Sequence, residues 1–197
     1  FLISLWAGPF YMVLQPFFDP LRNDFGWTSA QTALGISLQR LEAGIAAQLV
    51  GFLFDRVGPR KLILFGMIVA GFGLIYMSHI QTLTGFYTAF LVTAVGLSFG
   101  WMGPPMYAVA NWFIKKRSKV LSFLLAGTGL GGLLVPLLVW LIAQSGWRTG
   151  LMAVGIGFCV ISVPMAIVVK HRPEKYGYLP DGDVVDVSGS TLPSQML

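Results

Sequence analysis

The second apolar run of the chain carries two charged side chains near its middle, Arg40 and Glu42. A charge at the centre of a membrane helix costs roughly 2.5–3.5 kcal/mol on insertion scales, so neither is expected to face lipid. An arginine can bind a carboxylate through two parallel hydrogen bonds, and intramembrane carboxyl groups often carry protons. The functional interpretation is that Arg40 contacts an anionic substrate or a coupling site and that Glu42 exchanges a proton. The structural alternative is that Arg40 binds backbone carbonyls and Glu42 is a hydrogen-bonded structural residue.

Arg40 and Glu42 are expected to lie on different faces of one helix. At about 100° per residue they point about 160° apart, so they do not simply pair with each other. No other predicted span carries a charge at mid-depth. Their partners are therefore expected to be backbone or hydroxyl groups, a substrate, or helices beyond this sequence. Further candidates for a polar cavity, each of which packing would also explain, are Gln48, Asn111 and Tyr11.

The composition indicates that lipid surrounds much of the chain. Of 197 residues, 55% are hydrophobic and only 11% are charged, whereas a soluble domain usually carries about 25% charged residues. The net charge of +5 does not indicate a nucleic-acid partner, because the basic residues lie in short loops between apolar runs. A single cysteine, Cys159, excludes a disulfide framework. No His or Cys motif has metal-ligand spacing, so we predict no metal, no cofactor and no enzymatic activity.

Six apolar runs are candidates for membrane spans of about 20 residues. They are Phe1–Phe18, Ser29–Phe54, Leu62–Ser78, Leu83–Phe113, Val120–Gln144 and Gly150–Val169. Because the sequence begins inside an apolar run, we expect the first span to be truncated and the chain to be part of a longer protein. The sequence therefore predicts an all-α membrane protein in which residues 1–170 form a six-span bundle. Residues 171–197, rich in Pro, Gly, Ser and Asp, are predicted to be a polar linker.

The distribution of Lys and Arg predicts the orientation. The loops after the second, fourth and sixth spans hold ten of these residues, and the loops after the other spans hold two. Because cytoplasmic loops are enriched in Lys and Arg, the N-terminus and residues 171–197 are predicted to be cytoplasmic. The expected location is the plasma (inner) membrane, which the chain crosses several times.

The fifth predicted span is rich in glycine and contains a proline. The residues concerned are Gly127, Gly129, Gly131, Gly132 and Pro136. A nucleotide-binding glycine loop is excluded because no strand precedes this stretch. Small residues let membrane helices approach closely, and a proline favours a kink. We predict a helix-packing surface here, with a flexing gate element as the alternative. Gly96 and Gly100 form a further GxxxG pair in the fourth span.

The stretch GFLFDRVGPRK, residues 51–61, lies in the loop between the second and third spans. It resembles the signature of the major facilitator superfamily. The matching positions are Gly51, Asp55, Arg56, Gly58, Arg60 and Lys61. Five further stretches are similar to the monocarboxylate and oxalate/formate porter-like branches of that family. They are SLQRLEAG (37–44), ANWFIKKRSKV (110–120), GTGLGG (127–132), SGWR (145–148) and RPEKYGYLPDG (172–182).

The resemblance implies one half of a twelve-span transporter, built from two inverted three-helix repeats. An offset of 88 residues aligns Gly58 with Gly146 and Arg60 with Arg148. In the family's scheme, Asp55 would bind a helix N-terminus of the other half and hold the cytoplasmic side closed, while the neighbouring cations would brace it and bind lipid headgroups. The alternative is a basic cytoplasmic turn with no gating role. The fourth span lacks the arginine of many proton-coupled members, so proton coupling stays open.

Taken together, these features predict a secondary active transporter, either a symporter or an antiporter. Its cargo is expected to be a small organic anion such as a monocarboxylate, with or without a coupled proton. The expected partners are the lipid bilayer, the small-molecule substrate and a C-terminal six-span half. The alternatives are a six-span channel or dimerising half-transporter, and a non-transporting membrane sensor or scaffold.

Overall fold

The computed structural model describes residues 4–5, 17–113, 115–168, 184–185 and 191–192. Helices occupy residues 17–25 (α1), Ser29–Val57 (α2), Pro59–Ser78 (α3), Leu83–Leu97 (α4), Gly103–Trp112 (α5), Arg117–Gly131 (α6) and Val135–Val168 (α7). A π-helix, Ser98–Met102, joins α4 to α5, and a 3-10 turn, Gly132–Leu134, joins α6 to α7. Within the predicted linker, Val184–Val185 (β1) pairs antiparallel with Thr191–Leu192 (β2).

Three helical runs in the described ranges are long and apolar enough to cross a membrane. They are Pro59–Ser78, Leu83–Trp112 and Arg117–Ile161. The last has 45 residues, about twice what one crossing needs, and it contains the fifth predicted span and most of the sixth. The 29-residue helix α2 is not among them, because its charged and amide side chains lower its hydropathy. An all-α architecture with membrane-spanning helices is thus confirmed, and the number of six spans stays a prediction.

Two glycines turn the chain between helices within a single residue. Gly58, between α2 and α3, has φ 84° and ψ 157°, and Gly146, inside α7, has φ 81° and ψ 160°. This extended conformation with positive φ is essentially restricted to glycine. Pro59 then takes the first position of α3, where its missing N–H costs no helical hydrogen bond. The two turns therefore share one backbone geometry, and the second divides α7 into two helical segments.

The core forms around α3, whose small residues allow very close packing. A Cβ on Gly96 of α4 would come within 2.6 Å of the Cα of Ala70, and one on Gly100 within 2.8 Å of the Met67 amide nitrogen. The predicted GxxxG pair is therefore in backbone contact with α3, as small residues permit in membrane helices. Large buried side chains that complete this core are Phe17, Phe86, Leu151 and Phe158.

The helices α2 and α4 run parallel and in a fixed register. The Tyr87 hydroxyl donates to the backbone carbonyl of Gln31 at 3.0 Å. Eleven residues further along each helix, the Ser98 hydroxyl donates to Glu42. Both pairs are separated by 56 residues, and a constant separation over that length requires two helices that point the same way.

The segment from α6 into the first part of α7 is packed sparsely. Of the apolar window in Arg117–Ile161, 11% is buried, compared with 56% of the window in α3. Large apolar side chains exposed on this segment are Phe123, Leu133, Leu137 and Trp140. Those exposed on α2 are Leu41, Ile45, Leu49 and Phe52. Lipid or further protein must cover these two surfaces.

Candidate functional site

A cavity of about 370 Å³ lies between α2 and the segment from α4 through the π-helix to α5. The described residues that line it from α2 are Gln39, Arg40, Glu42, Ala43, Ala47 and Val50. From the opposite segment they are Ala94, Leu97, Ser98, Trp101, Gly103, Met106 and Tyr107. A mostly apolar wall with a few polar groups is typical of sites for small molecules, which range over about 300–1,000 Å³.

The π-helix shapes one wall of this cavity. Pro104 and Pro105 cannot donate hydrogen bonds to the carbonyls of Gly100 and Trp101 one turn earlier, which favours an irregular turn at this place. The turn presents Ser98 and Trp101 to the cavity. Single π-turns inside α-helices occur frequently at functional sites, and the geometry here places one directly opposite the charged part of α2.

Glu42 has one satisfied and one unsatisfied carboxylate oxygen. The Ser98 hydroxyl donates to Oε2 at 3.1 Å, and a hydroxyl is one of the partner types expected from the sequence. Oε1 is buried and accepts no hydrogen bond from any residue that the structure describes. A buried acceptor without a donor is costly, so a rotation of the carboxylate that turned Oε1 toward a donor on a ligand in the cavity would be favourable.

Arg40 lines the same cavity as Glu42, although the two residues leave the helix in different directions. Its side chain is exposed, and among the described residues no carboxylate forms an ion pair with it. Gln48 is exposed and Asn111 is half-buried in α5, and neither is a described lining residue. Tyr11 lies outside the described residues. The structure thus brings Arg40 and Glu42 together and leaves the other candidates apart.

The lining residues that were not singled out from the sequence include Ser98, Trp101 and Tyr107. The run of glycine, aromatic residues and two prolines at 98–105 does indicate an irregular helix. It does not indicate which residues face α2, because that depends on the register between two helices distant in the sequence.

The motif at residues 51–61 lies at the junction of α2 and α3. Its charged side chains, all exposed, are Asp55, Arg56, Arg60 and Lys61. The guanidinium carbon of Arg56 lies 4.2 Å from the centre of the Phe52 ring, a cation–π contact. Gly51 is half-buried within α2, and the turn residue Gly58 is buried. A small apolar cluster of Val50, Phe54 and Leu62 supports the turn.

The glycine-rich stretch straddles the end of α6. Gly127 and Gly131 are buried, whereas Gly129 is exposed and a Cβ there would have nothing within 4 Å. Gly132 begins the 3-10 turn, and Pro136, exposed, follows at the start of α7. The helix is therefore irregular where the proline-based kink was expected, and Gly129 makes no packing contact with the described residues.

A second polar cluster joins the end of α1 to the turn at Gly146. The indole nitrogen of Trp147 donates to Asp24 Oδ2 at 2.6 Å, and Arg148 Nη1 lies 3.7 Å from the same oxygen. The Arg148 guanidinium also lies 4.4 Å from the centre of the Trp147 ring. Phe25 stacks on Trp27 with ring centres 4.6 Å apart. These contacts fix the two chain segments to each other at this end of the bundle.

Comparison with known proteins assigns a family to this architecture. A profile of the Major Facilitator Superfamily matches residues 1–184. The chain is 29% identical over 160 residues to a fujikurins efflux protein of Gibberella fujikuroi, covering 78% of this chain and 33% of that protein. It is 27% identical over 157 residues to an oxalate:formate antiporter of Oxalobacter formigenes, covering 77% of this chain and 36% of that protein. It is 26% identical over 153 residues to monocarboxylate transporter 13 of Rattus norvegicus, covering 75% of this chain and 33% of that protein.

The chain spans about a third of the length of the curated relatives it matches. The resemblance expected from GFLFDRVGPRK and its accompanying stretches is thereby confirmed, including similarity to monocarboxylate and oxalate:formate transporters. The chain belongs to the major facilitator superfamily of membrane transporters.

Proposed function

We propose that the protein is a secondary active transporter that moves a small organic anion, such as a monocarboxylate, across the plasma membrane by alternating access. The observation that carries this proposal is the cavity between α2 and α4–α5, where Arg40 and Glu42 share a mostly apolar wall. Membership of a transporter family supports transport rather than catalysis. The named activities of two relatives, a monocarboxylate transporter and an oxalate:formate antiporter, support a carboxylate as cargo.

The proposed architecture is a six-span bundle of two inverted three-helix repeats that forms one half of a twelve-span transporter. The equal turns at Gly58 and Gly146, 88 positions apart, support the repeat. Each turn is followed two residues later by an arginine, Arg60 or Arg148. In an inverted repeat, corresponding turns lie on opposite sides of the membrane. The exposed apolar surfaces of α2 and α6–α7 support a second half that covers them.

The proposed orientation puts the Gly58 turn, the N-terminus and residues 171–197 in the cytoplasm, in accord with the Lys and Arg bias. Asp55, exposed in the last turn of α2, would then bind a helix N-terminus of the other half, where the partial charge is positive. This contact holds the cytoplasmic side closed in one state of the cycle. The cation–π contact on Phe52 holds Arg56 to the same helix end.

The test is uptake of radiolabelled acetate, lactate, oxalate and phenylacetate by the full-length protein in proteoliposomes. We expect saturable uptake that is accelerated by unlabelled substrate on the opposite side, and a reduction of at least about tenfold in Arg40→Gln, because a charge-assisted contact is worth about 1.5–3 kcal/mol. The matched control is Lys119→Gln, an exposed cation outside the cavity, which should transport normally.

Four outcomes separate the alternatives. Absence of uptake of every carboxylate would overturn the proposed function. Uptake without acceleration from the opposite side would favour the six-span channel over a carrier. Stimulation by an inward proton gradient would identify a proton symporter, and dependence on internal substrate alone would identify an antiporter.

A further inference from the structure

We propose that the cavity selects organic acids that combine an apolar body of aromatic size with a hydroxyl or amino donor, in preference to acids of one to three carbons. This inference rests on the proposed function and specifies the substrate class of the same site. Three properties of the cavity lead to it: its volume, its buried apolar wall, and a carboxylate oxygen that has no donor among the described residues.

The volume exceeds what the smallest carboxylates can fill. A liquid water occupies about 30 Å³, so about 370 Å³ corresponds to roughly twelve waters. Acetate has about four non-hydrogen atoms and would leave most of this space hydrated. Because small-molecule sites bury about 70–90% of a ligand's surface, a ligand with about ten or more non-hydrogen atoms is the better fit.

The wall away from the charges is apolar and well supported. Val50 and Trp101 line the cavity with exposures of 2% and 6%, and Leu97 with 4%. These buried side chains belong to the two apolar clusters of the fold, so this wall is anchored in the packed interior. Met106 completes it with a flexible thioether that adapts to irregular shapes. Such a surface gains free energy from covering an apolar ring, which a short acid cannot provide.

The polar groups of the cavity are the reason for expecting a hydroxyl or amino donor on the ligand. Arg40 supplies a cation for a carboxylate, and Glu42 Oε1 is a buried acceptor with no donor among the described residues. A ligand that brings only a carboxylate would satisfy Arg40 and leave Oε1 unpaired. A ligand that also carries a hydroxyl or amino group would pair with both once the Glu42 carboxylate turns Oε1 toward the cavity, and hydrogen bonds to charged groups are among the stronger ones.

The experiment measures competition against a transported carboxylate, by the full-length protein in proteoliposomes, with four probes that differ by one feature each. Acetate and phenylacetate differ by the ring alone. Mandelate and 4-hydroxyphenylacetate each add one hydroxyl to phenylacetate, at opposite ends. We expect phenylacetate to compete at least about tenfold better than acetate, and at least one of the hydroxy acids to compete about tenfold better again.

Two variants assign these preferences to the cavity. Ala47→Leu fills space from the exposed side of α2, where it does not disturb the core. It should weaken competition by the ring-bearing acids at least about fivefold more than competition by acetate. Glu42→Gln keeps the side-chain size and removes the charged acceptor, so the advantage of the hydroxy acids over phenylacetate should fall below about threefold. The matched control is Ala33→Leu, an exposed position of α2 that is not a described lining residue.

The results distinguish this inference from the proposed function. If no carboxylate is transported, the proposed function fails. If acetate and oxalate are transported and compete as well as the ring-bearing acids, or if Ala47→Leu affects all probes equally, the substrate class proposed here is wrong and transport of organic anions stands.

Discussion

Replacing Gly146 by alanine tests the turn geometry that divides α7. The residue has φ 81° and ψ 160°, and a Cβ there would have nothing within 4 Å. Steric crowding therefore contributes nothing, and the whole cost comes from the backbone conformation. That cost is about 1–3 kcal/mol for a residue other than glycine. Gly129→Ala is the matched control, because this glycine also has open space around it but lies in regular helix. There alanine should stabilise the protein by about 0.5–1 kcal/mol.

The assay is the apparent melting temperature of the full-length protein in detergent, followed by the fraction that remains monodisperse after heating. At roughly 2–4 °C per kcal/mol, Gly146→Ala should melt at least about 2 °C below wild type and Gly129→Ala at or above it. Gly146→Asn sharpens the test. Asparagine tolerates the left-handed helical conformation but not a positive φ with ψ near 160°, so it should be as unstable as alanine.

Two results would refute this reasoning. If Gly146→Ala melts at or above the temperature of Gly129→Ala, the turn does not have the positive φ described here. If asparagine restores wild-type stability while alanine does not, the residue adopts a left-handed helical conformation, and its equivalence with Gly58 fails.

The remaining predictions concern the closing contact, the helix packing and the cluster at Asp24. Asp55→Asn should impair uptake and leave membrane insertion intact, because only the charge is lost; uptake at the wild-type rate would contradict the closing role. Gly96→Ala should reduce the monodisperse yield, since its Cβ would overlap the backbone of Ala70 at a cost of about 1–3 kcal/mol, whereas an unchanged yield would contradict the close contact. Trp147→Phe removes the 2.6 Å bond to Asp24 and should lower the melting temperature by a few degrees, about 1–3 kcal/mol; an unchanged value would show that the bond contributes no stability.

The sequence predicted the helical elements where hydrophobicity decides them. The predicted third and fourth spans differ from Pro59–Ser78 and Leu83–Trp112 by at most three residues at either end, because long apolar runs have few alternative structures in lipid. Arg40 and Glu42 were recognised for the same reason: a charge in an apolar run is costly unless it has a role. Hydropathy alone does not identify α2 as a span, since the residues that draw attention to it also reduce its hydropathy.

The composition of the cavity could not be predicted in the same way. Whether Glu42 meets Ser98 depends on the register of α2 against α4, which tertiary contacts such as the Tyr87–Gln31 hydrogen bond determine. Arg40 and Glu42 line the same cavity although they point in different directions around α2. This depends on the length of the Arg40 side chain as well as on the angle between the two residues around the helix. Local sequence patterns carry no information about either, because both arise between residues far apart in the chain.

The single-residue turn at Gly58 has a practical consequence for labelling this protein. Its charged neighbours suggest an ordinary exposed loop, a place where epitope tags or fluorophore-bearing peptides are usually inserted. Here α2 ends at Val57 and α3 begins at Pro59, so no loop residues are available to accommodate an insertion. An inserted peptide would separate two helices whose ends share an apolar cluster. A cysteine label on exposed Lys61, in the first turn of α3, would leave the turn itself intact.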